Sequence, residues 1–244
     1  MAISIGPGIS IGSGISLLAD PPIPSGSANF VNASNQYLSA TSVSVGTTQS
    51  TYEWWFYLNS LPTTSYGMFN NRGTGGTAAT GFNVYLDNAS FIHFVSSSTA
   101  DASFFYGVTA NTWYHIAFQR GTLNWNCYIN GVSTGLAQSS TTTAATMLIG
   151  RDPFSTTKTF DGYISNFRYV KGVRVYTGNF TVPTSPLQAT QSAGANISAV
   201  TGTQTQLLLN TVNGSNFLQD SSTFNITVTN NNGVTSNALN PFGS

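Results

Sequence analysis

Between Ser27 and Leu187, apolar residues recur at every second position in short runs. The runs are NFVNASNQYLSA, TYEWWFYL, YGMFNN, GFNVYLD, SFIHFVS, SFFYGV, WYHIAFQR, NWNCYING, TMLIGR and FDGYISNFRYV, separated by Gly, Asn, Asp or Pro. A two-residue period with aromatic and β-branched enrichment predicts strands, and no helical period persists for three turns. Roughly ten short strands at close spacing predict two stacked antiparallel sheets. In TYEWWFYL, Tyr52, Trp54, Phe56 and Leu58 share one face and Glu53, Trp55 and Tyr57 the other. Both faces are heavily apolar, so this strand is expected at the centre of its sheet. Asn130-Gly131 is the preferred pair for a tight primed hairpin turn, and Asp161-Gly162 is a similar pair at the head of the strand beginning at Tyr163.

The flanks are patterned differently. In residues 1–25, ISIGPG, ISIGSG and ISLLAD place Ile3, Ile5, Ile9, Ile11, Ile15 and Leu17 in alternation with small or polar residues. Such an arm has one apolar face and cannot bury it alone. It is expected to add to a sheet edge or groove on another subunit or, failing that, to fold back on its own domain. Asp20-Pro21-Pro22-Ile23-Pro24 follows as a stiff linker. The expected division is an anchoring arm and linker at 1–25, a sandwich at 26–190, and tail strands at 191–244.

The order TYEWWFYL, WYHIAFQR, CYINGV, LIGR, FDGYISNFRYVKGVRVY resembles the laminin-G-like, concanavalin A-like jelly roll. It is most similar to modules of bacteriophage and bacterial surface proteins, in which the GYISNFR strand is followed by V-Y-x-x-N-F-x-x-P-x-x-P-L, here Val175 to Leu187. The resemblance implies an all-β, two-sheet antiparallel jelly-roll sandwich, a fold that hosts lectins, glycan hydrolases and purely structural modules. In such modules a tail like TQLLLN, LQDSS, FNITVTNNN, NPFGS precedes a strand like SANFVNASNQYL, whereas here it follows. The tail is therefore expected either to return beside Phe30 to Leu38 in cis or to complete a neighbour's sandwich.

Composition narrows the function. Charged residues are 6% of the chain, seven basic against seven acidic, while aromatics are 13%. Such a chain can bury a core, but it lacks the clustered cations that grip nucleic acid. No apolar run is long enough to span a membrane, and Met1 to Leu18 lacks the basic start of a signal peptide. Cys127, the single cysteine, is expected to be a buried strand residue in a protein made in a cytosol.

Candidate chemistry is sparse. Glycan hydrolysis uses two carboxylates flanking the scissile bond, but Glu53 is the sole glutamate and its alternate neighbours are Thr51 and Trp55. His93 and His115 sit inside strands, and no nucleophile elbow, phosphate loop or zinc spacing is present. Asp87, Asp101 and Asp152 are weak loop candidates for calcium; no other cofactor is implied. For glycans, Trp113, Trp125, Tyr66 and Tyr106 near Asn-rich loops could supply an aromatic platform, though the tryptophans could equally be core; Trp125, between Asn124 and Asn126, is the one expected to be most exposed. The resulting expectation is a non-catalytic, homo-oligomeric protein of a phage virion surface. Capsid decoration through the arm's contact with a capsid protein comes first, and a tail-fibre or adhesin module that binds host glycans is the alternative.

Overall fold

The computed structural model describes residues 26–45, 49–72, 81–95, 101–121, 124–135, 146–152, 158–210 and 216–243. The arm residues Ile3 to Leu17 lie outside them. The strands are β1 (Ser27–Phe30), β2 (Tyr37–Ala40), β3 (Ser50–Leu58), β4 (Ser65–Asn70), β5 (Asn83–Asp87), β6 (Phe91–Val95), β7 (Asp101–Phe105) and β8 (Trp113–Arg120). They continue with β9 (Trp125–Ile129), β10 (Val132–Ser133), β11 (Met147–Ile149), β12 (Gly162–Lys171), β13 (Thr205–Leu209), β14 (Val228–Asn231) and β15 (Thr235–Asn237).

Among the described residues these strands form two antiparallel sheets, the jelly-roll sandwich expected from the alternation. The first runs β10-β9-β8-β3-β12-β1-β15, with β13 also pairing β12, and the second runs β14-β2-β11-β4-β5-β6-β7. Alternation explains the core. Tyr52, Trp54 and Phe56 of β3, Ile116 and Phe118 of β8, and Trp125 and Cys127 of β9 point inward against Phe69, Phe82 and Phe94 of the opposite sheet and its approach. Their rings touch directly: Trp54 stacks on Phe118 and Phe167 at 5.8 Å, and Phe82 lies 4.6 Å from Trp125. Such pairs add about 0.5–1.5 kcal/mol each beyond area burial.

β3 is central, with β12 on one side and β8 on the other. β12 serves two neighbours along one edge, β1 through Gly162–Ile164 and β13 through Phe167–Val170. A bulge between Ser165 and Arg168 divides them. Asn166 takes the left-handed conformation there, with φ 53°, and its side-chain oxygen accepts from Leu187 N at 3.0 Å. Asn130 and Gly131 both have positive φ, as the primed turn between β9 and β10 requires. A Cβ on Gly131 would lie 2.0 Å from the Phe180 carbonyl oxygen, so the turn also seats the segment after β12. Asp161-Gly162 makes no hairpin turn. Gly162 opens β12 at φ 141°, close against the Tyr57 carbonyl.

The tail pairs with its own sandwich: β15 on β1, β14 on β2 and β13 on β12. Asp220 knits it in, accepting from the backbone N–H groups of Leu208, Ser222 and Ile226.

Candidate functional site

The outward face of β3 carries Thr51, Glu53, Trp55 and Tyr57, and its two ends have opposite fates. Over Thr51 and Glu53 lies residues 172–200, which follow β12 and form a strap across the sheet. Val175, Tyr176, Phe180 and Val200 of the strap pack on Ala117, Tyr128 and Val170. Gln119 clamps both polar groups of Tyr176, donating to its carbonyl at 2.8 Å and accepting from its N–H at 2.6 Å. Thr51 Oγ1 accepts from Val175 N at 3.0 Å.

Beneath the strap, Glu53 gathers three partners. Oε1 accepts from Arg168 Nε at 2.8 Å, while Oε2 faces His115 Nε2 at 3.2 Å and accepts from Tyr176 Oη at 2.5 Å. Arg168 spends its remaining donors on the Gln188 carbonyl and Gln191 Oε1. The side chains of Glu53, Arg168 and His115 are all wholly buried. Burial alone would raise the Glu53 pKa; the Arg168 charge, then the His115 and Tyr176 contacts, overcome it and hold the value at about 2. Burial, and then the Glu53 charge, push the Tyr176 phenol well above its usual range. This carboxylate is ionised, fully bonded and sealed from solvent. It cannot reach a glycosidic oxygen, and its chemistry is to pin the strap to the sheet.

The other end of the face is open. Tyr57 is paired across β8 with Trp113 and across β12 with Tyr163, and β1 continues the line with Asn29. The three rings are half-buried. Tyr57 is 5.5 Å from Trp113 and 5.6 Å from Tyr163, with planes inclined at 55° and 69°. The row is a twisted aromatic strip, edged by polar groups. Tyr57 Oη donates to Asn111 Oδ1 at 3.1 Å, and Asn29 Nδ2 reaches Thr235 Oγ1 at 3.4 Å. Beside the row is a cleft of about 370 Å³, bounded by Trp55, Trp113, His115, Asn130, Val182 and Phe242.

Two buried polar atoms in this cleft wall have no hydrogen-bond partner, Trp113 Nε1 and His115 Nδ1. The indole nitrogen is a donor only. His115 Nε2 faces the Glu53 carboxylate, so that nitrogen carries a proton and donates to it. Aromatic rings edged by amides suit a ligand with an apolar face and hydroxyl groups, since a hydroxyl can both give and take a hydrogen bond.

Of the aromatics singled out in the sequence, Trp113 stands in this row, while Tyr66 and Tyr106 pack on the core. Trp125 is not exposed; it is 1% accessible and lies within the sandwich against Phe82, Phe94 and Tyr52. The reason is parity: Trp125 shares its face of β9 with Cys127 and Ile129, which also point inward, while Asn124 and Asn126 border or face the outside. Trp125 therefore cannot stack a sugar. Cys127 is buried as expected, and burial raises its thiol pKa well above the ordinary value. Asp87 is engaged by the Ala89 and Phe91 N–H groups and by His93 Nε2 at 3.0 Å. Asp152 is buried near Arg72, and the Asp101 side chain lies outside the described residues. Asp87 ends β5, whereas Asp101 pairs with Val95 at the Asn83 end of the same sheet, so the two are not brought together. Among the described residues, no three His, Cys, Asp or Glu side chains converge as a metal site would require.

For Tyr57 and Tyr163, which were not singled out, the signal lay in the alternation. Tyr57, Trp113 and Tyr163 occupy the outward parity of three strands at ends that antiparallel pairing makes coincide, where a solvent-facing strand ordinarily carries polar residues.

Comparison with known proteins places this architecture. The native heptameric SAP-like pentraxin of Limulus polyphemus superposes with a TM-score of 0.53 at 11% identity, over 88% of this chain and 95% of that one. Domains LG4-5 of the mouse laminin alpha1 chain give 0.45 at 10% identity, over 60% of this chain and 41% of that one. The Trypanosoma rangeli sialidase gives 0.41 at 13% identity, over 50% of this chain and 20% of that one. No curated protein matches the sequence. The pentraxin superposition shows a shared fold. With residues 32–177 matched by the model of the concanavalin A-like lectin/glucanases superfamily, the chain belongs to that superfamily.

Proposed function

We propose that this chain is a non-catalytic recognition module of the tail-fibre or adhesin kind, binding neutral glycans through the Trp113–Tyr57–Tyr163 row and the adjoining cleft. The observation that carries the reading is an open aromatic row edged by the amides of Asn111 and Asn29 beside a cleft. Pyranose rings present an apolar C–H face for stacking and hydroxyls at the rim, matching both features. The row and cleft residues named above include no Lys, Arg, Asp or Glu, which favours an uncharged ligand. Glu53 is spent on Arg168, His115 and Tyr176, which is why the module is read as non-catalytic.

The test is a glycan array with the full chain and with Trp113→Ala. The native chain is expected to retain a defined set of neutral glycans, and Trp113→Ala to lose them about tenfold or more. Retention unchanged by Trp113→Ala would remove the site from the account. Turnover of any bound glycan that Glu53→Gln abolished would make the module an enzyme.

A virion surface is the setting favoured by the phage-like GYISNFR and V-Y-x-x-N-F-x-x-P-x-x-P-L motifs. Within it, capsid decoration is the second reading, resting on the period-two isoleucines from Ile3 to Leu17. On that reading the arm anchors a homo-oligomer to a capsid protein. Deleting residues 1–19 would then abolish particle binding and leave glycan retention intact.

A further inference from the structure

One wall of the cleft is unlike the others. Trp113, His115, Trp55 and Asn130 belong to paired strands or their tight turn and Val182, Pro183 and Thr184 to the strap, whereas Pro241 and Phe242 come from the short stretch after β15. The hydrogen bonds of that stretch stay within it: Leu239 N to Asn237 Oδ1, Asn240 Nδ2 to the Ala238 carbonyl, and Phe242 N to Asn240 Oδ1. Leu239 is exposed. What joins the stretch to the sheet is the Phe242 ring, set edge-on against Trp55 at 5.2 Å and 72°, in a small cluster with Leu187, Leu208 and Val182. A segment held by one ring and by local hydrogen bonds opens at low free energy compared with the strands beneath it.

Phe242 also covers something specific. Trp55 is two residues before Tyr57 on the same outward face of β3, and across β8 it is paired with His115. Trp55 is only 3% accessible, although it adjoins the open row and lies 4.4 Å from the His115 ring. Without the Phe242 ring, the aromatic surface would continue inward from Tyr57 to Trp55, and His115 with its unpaired Nδ1 would border both positions.

We infer that Trp55 is a second stacking position for a saccharide ring, which Phe242 occupies in the unliganded chain and surrenders to a longer oligosaccharide. The inference rests on the glycan-binding reading and adds a subsite to it. Short saccharides use the Trp113–Tyr57–Tyr163 row alone; longer ones extend over Trp55 and displace the Pro241-Phe242 stretch. The cost of displacing the ring is paid out of the new stacking contact, so Phe242 acts as an internal competitor that selects for length.

The experiment compares the full chain with Phe242→Ala by calorimetric titration with neutral di- to hexasaccharides of glucose, α- and β-linked, or with those of the sugar that the array identifies. Tetrasaccharides and longer are expected to bind Phe242→Ala about tenfold more tightly than the native chain, and disaccharides equally well in both. A ligand-free arm uses acrylamide quenching in a Trp113→Phe background, where Trp54 and Trp125 are buried and the change reports on Trp55. Phe242→Ala is expected to raise its quenching severalfold. Unchanged quenching overturns the inference, because Phe242 would not be what shields Trp55. Increased quenching with equal or weaker binding of long saccharides also overturns it and leaves the open-row site standing. Increased quenching with no saccharide bound by either protein defeats the glycan reading itself, and the second stacking position falls with it.

Discussion

Glu53 and Tyr57 lie on the same outward face of β3 with Trp55 between them, yet one is wholly buried and the other half-exposed. The difference lies in what crosses above them. Residues 172–200 lie over the Glu53 end and supply Tyr176, Gln188 and Gln191 to the ion-pair network. At the Tyr57 end, aromatic rings meet solvent with amides at their edges. The same strand geometry therefore yields a structural lock at one end and a recognition surface at the other. Position in a strand fixes which way a side chain points, and the long-range crossing decides whether that direction leads to water.

The contrast breaks most severely at the lock. Arg168→Met leaves the Glu53 carboxylate buried with its main cation gone and is expected to cost about 3–5 kcal/mol in urea unfolding. A loss below ~1 kcal/mol would mean that the strap holds without the network. Trp125→Ala is expected to cost a similar ~3–5 kcal/mol through a core cavity. Its folded fraction is expected to bind glycan normally, which separates the buried tryptophan from the open one.

Acid acts on the same lock from another direction. The Glu53 pKa is held at about 2 in the fold against 4.5 in the free chain. A lowered folded pKa gives stability that is complete above pH 4.5 and drains as pH falls toward 2. For a wholly buried group this amounts to on the order of 3 kcal/mol. Thermal unfolding between pH 6 and pH 2 is expected to show that loss, and Glu53→Gln, though less stable at pH 6, is expected to show a flatter profile. Equal slopes for the two proteins would assign the acid sensitivity to other carboxylates.

The smallest expected effect on stability sharpens the open end. Tyr57→Ala removes the middle ring of the row and is expected to weaken glycan binding about tenfold, with under ~1 kcal/mol lost from the fold. A large loss of stability without loss of binding would make the row a packing element.

Much of the fold was legible in the sequence because alternation is a local property. The inward set of β3, the Asn130-Gly131 turn and the burial of Cys127 all follow from parity and turn chemistry. The site was less legible. Trp125 shares parity with Cys127, so the same rule that buried the cysteine assigns the tryptophan to the core; its flanking asparagines point the other way or end the strand and carry no information about it. The row of Trp113, Tyr57 and Tyr163 joins three strands from residues 57, 113 and 163, and only the pairing register brings them side by side. The Glu53 network was hidden for the same reason. Its partners are distant in sequence: strand pairing brings His115 and Arg168 beside Glu53, and the strap brings Tyr176.

The most direct measurement is a saccharide titration followed through the indole N–H resonances of the four tryptophans. The Trp113 resonance is expected to move, because its ring stands in the open row and lines the cleft, while Trp54 and Trp125, enclosed in the core, hold still. A titration that shifts Trp125 and leaves Trp113 unmoved would contradict the division of this sheet face into a lock and a binding surface.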